Sequence, residues 1–117
     1  MKEELPKKIE LNYSEFDEKI AMQESLLAEQ RARLKEVLED QIRNEAEIKN
    51  IQEGNLPPEE RRAKLNSLMI LKTELKFDVV FLEDVIQKKE IHIHRLEKNR
   101  QKHIEFLEGI ETTGSVN

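Results

Sequence analysis

The chain has no cysteine and no tryptophan, and in 117 residues it has only three glycines, three prolines, one tyrosine and four phenylalanines. Without thiols, disulfide frameworks, thiol nucleophiles and zinc–thiolate sites are excluded. Aromatics make up 4% of the residues, too few large side chains to fill a thick layered core. With so few glycines and prolines, long stretches run without a helix breaker. No run approaches the ~20 apolar residues that a membrane span needs. Residues 1–9 are charged, contain Pro6 and have no apolar stretch behind them. They do not read as a signal peptide, so an intracellular, by default cytoplasmic, location is expected.

What the chain has in abundance is charge of both signs. Charged residues are 38% of it, with 25 acidic against 20 basic side chains and a formal net charge of -5. A pI near 5.3 argues against a general nucleic-acid binder, because phosphate contacts need a concentrated basic surface. High charge with few aromatics also suits disorder. A sustained apolar period argues the other way. Over residues 65–110 a heptad places a positions at Leu65, Lys72, Val79, Ile86, Ile93, Arg100 and Leu107. Its d positions are Leu68, Leu75, Leu82, Lys89, Leu96, His103 and Ile110. Ten of these fourteen are aliphatic, so one narrow seam of a long helix requires a partner helix.

An earlier stretch repeats the period with a wetter seam. Its a positions are Tyr13, Ile20, Leu27, Leu34, Gln41 and Ile48, and its d positions Phe16, Gln23, Gln30, Val37, Asn44 and Ile51. The four amides either make thin, wet layers or fix register, as a buried Asn does in coiled coils. Leu26, Leu38 and Ile42 lie beside this seam and widen it. Residues 1–13 read as a polar lead-in, and Ser14 with Asp17 suggests a capping box that starts helix 1. The expected spans are residues 14–52 for helix 1, 53–57 for a turn and 58–111 for helix 2, with 112–117 as a flexible tail. Gly54 suits a left-handed helix cap, and Pro57 or Pro58 suits the first position of the next helix. So short a gap joins antiparallel neighbours. The expected fold is all-α, a long antiparallel two-helix coiled-coil hairpin that dimerises into a four-helix bundle. Positions whose numbers sum to about 111 then share a level. Leu34 should meet Phe77, and Leu5, Ile9 and Leu11 should cover the end of helix 2.

Helix 2 has more apolar surface than one seam uses. Met69, Ile70, Phe77, Val80, Phe81 and Val85 form the expected oligomer or partner interface. Ile104, Phe106, Leu107 and Ile110 form a second partner surface. A helix apolar nearly all round is a buried helix, and one thin partner cannot bury it. Self-association covers the first surface; the alternative is a foreign protein.

Chemistry is harder to find. His92 and His94 diverge by about 200° on a helix and cannot share an ion. No Glu-x-x-His pair, Gly-rich phosphate loop, nucleophile elbow or H-E-x-x-H occurs. Paired charges such as Glu39–Arg43 and Glu60–Lys64 are solvated i,i+4 supports. No catalytic residue, cofactor or metal is expected. Lys88, Lys89, Arg95, Lys98, Arg100 and Lys102, with His103, form one basic cluster. It either meets an acidic partner, an RNA backbone or anionic lipid, or balances Glu15, Asp17, Glu18 and Glu24 of helix 1. The charged groups at Lys89, Arg100 and His103 further suggest that this half of helix 2 is looser, or separates from helix 1 and meets something acidic. The sequence thus points to a non-enzymatic interaction module, a structural or assembly subunit of a larger complex. A small adaptor or inhibitor that binds a helical groove is the alternative, and a nucleic-acid accessory protein working through residues 88–103 a third reading.

Overall fold

The computed structural model describes residues 4–116, with side chains described for residues 14–110. The chain forms two helices, α1 (Glu4–Glu53) and α2 (Pro58–Val116), and no strand occurs among the described residues. Both helices follow from runs of good helix formers that glycine and proline scarcely interrupt. α1 begins ten residues ahead of the expected Ser14 start. The backbone of residues 4–13 has nothing to break it, since Pro6 falls in the first turn, where its missing N–H has no helical partner. Residues 112–116, expected as a tail, continue α2. Propagation costs little once a helix exists, even through Thr112, Thr113 and Gly114. No helix among the described residues is long and apolar enough to cross a membrane.

The heptads reappear as burial. In α1 the buried residues are Leu27, Val37, Asn44 and Ile48, all a or d positions. In α2 they are Leu75, Leu82, Ile93 and Leu107, again all a or d. The remaining described seam positions are half-buried, except Lys72 and Ile110, which are exposed. Lys72 carries its charge outward along its own stem. Among the described residues no large side chain is completely buried, as a seam only two helices thick requires.

The chain divides into two units. Glu29–Ile86 contains the turn. Its core is Val37, Leu75 and Leu82, with Leu34 and Val79 packed against it. Leu34 therefore packs among seam residues and not against Phe77, which is 69% exposed. Matching residue numbers sets the level along the helices, whereas the heptad position sets the face, and Phe77 sits two residues past a seam position. Asn44 is 3% exposed, and its Nδ2 donates to the Leu68 carbonyl at 3.1 Å. This bond joins α1 to α2 and fixes their register in this unit. The other unit combines Met1–Ala28 with Gln87–Asn117. Leu27, Ile93 and Leu107 are buried in it, and the Phe16 and His103 rings lie 5.8 Å apart at 48°. The two helical segments of this unit pack against each other, so the separation offered as one alternative near Arg100 and His103 does not occur. The coverage expected from Leu5, Ile9 and Leu11 lies outside the described side chains.

The turn is built differently from the expected left-handed cap. No described glycine has positive φ. Gly54 is needed for closeness, because a Cβ there would stand 2.9 Å from the Asn50 carbonyl oxygen. Arg61 reaches back to carbonyls of the turn. Its guanidinium donates to the carbonyls of Gly54 at 2.8 Å and Leu56 at 3.3 Å. Arg61 lies seven residues before Leu68, so it occupies a d position and projects under the turn. α2 then opens with Pro58, Glu59 and Glu60 in its first turn, which suits the positive end of a helix.

Asn44 generates a prediction. Its Oδ1 is buried without a hydrogen-bond partner. Leaving a buried acceptor unpaired costs ~1–3 kcal/mol, and the Leu68 carbonyl keeps its helical bond if Asn44 is lost. Asn44→Leu is expected to raise stability by about 1–2 kcal/mol, seen as a higher urea midpoint, while relaxing register. A lower midpoint would show that the Asn44–Leu68 bond outweighs the unpaired oxygen.

Candidate protein-interaction surface

The outer side of α2, away from its seam, is apolar over three turns. Ile70 and Phe77 are seven residues apart, and Val80 and Phe81 follow Phe77 by three and four. This spacing stacks their side chains on one face of a helix. All four expose more than half of their surface, with Phe77 at 69% and Phe81 at 66%. Met69 lies at the edge of the stripe and is also exposed. Of the residues expected at this interface, Val85 alone departs, being half-buried. It directly precedes the seam residue Ile86, so it leans into the flank of the hairpin core.

Two exposed residues of α1 extend the patch. Leu38 and Ile42 were expected to widen the seam, but both are exposed. The Asn44–Leu68 bond puts Ile42 level with Ile70 and Leu38 level with Glu74. Leu38 follows the d residue Val37, as Met69 follows the d residue Leu68. In an antiparallel pair these positions lie along the same edge. The available signal was a count: once the seam residues are assigned, any further aliphatic is surplus. Leu71, Met22 and Ile91 are exposed as well.

The second expected surface is split by the structure. Leu107 is buried and Ile104 half-buried, so neither is open to a partner. Leu107 is a seam a position and faces inward for that reason. Phe106 and Ile110 are exposed.

The basic cluster is likewise divided. Arg100 Nε donates to Asp17 Oδ1 at 2.7 Å. This pairing belongs to the charge-balance alternative, and it moves Arg100 from an outward contact to an internal one. Lys89 is half-buried at a d position. Lys88, Arg95, Lys98 and Lys102 are exposed, with Glu90, Glu97 and Glu105 interleaved along the same helix. Acids at this density dilute the field that a phosphate backbone or anionic surface would feel.

His92 and His94 are exposed, and among the described residues no three histidine or carboxylate side chains come close enough to hold a metal ion. Near the turn, Ala63 and Ser67 are too small to fill the space beside Ile51 and Leu68, which leaves an open groove of about 570 Å³. Glu47 and Lys64 border it.

No protein-family model, curated protein or solved structure matches the chain. The chemistry of the surface therefore has to be judged from its own residues.

The Asp17–Arg100 pair gives a check on the charge-balance alternative. Both side chains are well exposed to solvent, at 57% and 35%. Exposed pairs are worth ~0–1 kcal/mol. Asp17→Asn is expected to lower stability by less than about 1 kcal/mol in urea unfolding, with the difference shrinking in high salt. A salt-insensitive loss well above that would make the pair a principal fastening of its unit.

Proposed function

We propose that this protein is a non-enzymatic helical-hairpin interaction module, an intracellular structural or assembly subunit that first associates with itself. The observation that carries the reading is the exposure of Phe77 and Phe81 together with Ile70 and Val80 on one face of α2. Fully burying one such side chain is worth roughly 1.5–3 kcal/mol. Monomers seldom leave a contiguous patch of this kind in water. The face is made of helix positions, so its natural occupant is another helix.

The dimer would carry further contacts. Phe106 and Ile110, exposed near the end of α2, support a second contact with another protein of an assembly. This feature also favours the adaptor alternative, in which the same two side chains enter a groove of the target. In both readings the hairpin acts by presenting side chains at fixed spacing.

Sedimentation of the purified chain tests the proposal. A dimer is expected, and Phe81→Glu is expected to give a monomer with unchanged helicity by circular dichroism. The charge enters an exposed position, so the hairpin has no reason to unfold. A wild-type chain that sediments as a monomer at tens of micromolar with intact helicity contradicts self-association.

A further inference from the structure

We infer that the outer side of α2 from Lys88 to Phe106 docks an acidic amphipathic helix of another protein. This names the chemistry of the second contact proposed above, and it rests on that reading.

Lys88, Arg95 and Lys102 recur every seven residues. Ile91 and Lys98 stand three residues after the first two, and Phe106 stands four after Lys102. On a helix this spacing draws one line of side chains, about 27 Å long at the helical rise. All six are exposed, Phe106 at 65% and Ile91 at 46%. The neighbouring seam residues Ile93 and Leu107 are buried, so the line faces away from the core of its unit.

The acids that alternate with these bases in sequence part from them around the helix. Glu90 and Glu97 each follow a base of the line by two residues, and so point about 200° away from it. Glu105 falls on the line, but its Oε1 accepts from Gln101 Nε2 at 3.3 Å, which draws the carboxylate aside. Arg100 is off the line and turned to Asp17. Screening makes this sorting matter at contact range. The Debye length is ~8 Å at physiological salt, shorter than the ~10–12 Å diameter of a helix. A partner lying on the line meets Lys88, Arg95, Lys98 and Lys102 and feels little of the acids behind them.

A straight line of cations at three- and four-residue spacing matches carboxylates at the same spacing on a second helix. Ile91 within the line and Phe106 beyond it call for apolar residues beside that acidic run. A phosphate backbone or a bilayer surface is a poorer fit, because it extends past the line onto the flanking acids. Phe106 is the single aromatic on the line, too few for base stacking.

The probe is a synthetic fluorescent helical peptide with Glu at its heptad a and d positions and a Leu beyond them. Anisotropy titration with the full chain is expected to show binding that weakens as salt rises. Arg95→Glu combined with Lys102→Glu is expected to weaken it roughly tenfold or more. Phe106→Ala is expected to weaken it several-fold, and Glu97→Gln, on the far side, to leave it unchanged. Circular dichroism and sedimentation check that each variant keeps its helices and its assembly state, so self-association is read separately. Equal binding of a peptide with the same residues scrambled out of heptad spacing overturns the proposal. Tighter binding to anionic vesicles or to single-stranded RNA than to the peptide overturns it too, as does no binding at all by the helical wild-type chain. If Phe106→Ala weakens binding and the charge reversal does not, the second contact stands and its acidic partner falls.

Discussion

A single partner helix covers one stripe of its neighbour, roughly 100° wide. α2 has apolar residues on two opposite sides, and that constraint governs the behaviour of the whole molecule. Its seam of Leu75, Val79 and Leu82 is closed by Leu34 and Val37 of α1. Its other side, with Phe77 and Phe81, is left largely exposed among the described residues. α1 is a wet helix with Gln23, Gln30, Gln41 and Asn44 in its seam. The hairpin is thus complete as a fold and incomplete as a surface.

Polar groups inside the thin seam give it definition. Asn44 sacrifices a buried acceptor and gains a fixed register through the Leu68 carbonyl. Arg61 occupies a position that an aliphatic residue would fill more cheaply, yet it holds both carbonyls of the turn. The reversal of direction depends on that guanidinium as much as on Gly54 and the prolines. Further along, Arg100 uses its seam position to reach Asp17. Each exchange trades apolar burial for a specific pairing, which matters when a simple seam tolerates slippage by a whole heptad.

Much of this was legible in the chain. The a and d positions could be assigned residue by residue, because burial in a two-helix seam depends on period alone. The turn could be placed because Gly54, Pro57 and Pro58 stand together. The outer stripe could be seen because Ile70, Phe77 and Phe81 fall off the seam. Other features depend on three-dimensional reach. That Arg61 folds back beneath the turn requires knowing where the Gly54 and Leu56 carbonyls point. The exposure of Leu38 and Ile42 and the half-burial of Val85 turn on small rotations about the helix axis, which a pattern of letters does not resolve, whereas the burial of Leu107 follows from its a position. The helices run beyond the expected 14 and 111 because Ser14 and the Thr112–Gly114 stretch look like boundaries locally, whereas a helix already formed extends through them.

The central claim is that the outer face of α2 is covered in solution by association. Thermal unfolding across about a hundredfold range of protein concentration tests it most directly, because binding to the folded state raises the apparent melting temperature by mass action. The account predicts a midpoint that climbs steadily with concentration. A midpoint that stays fixed over the whole range would contradict it.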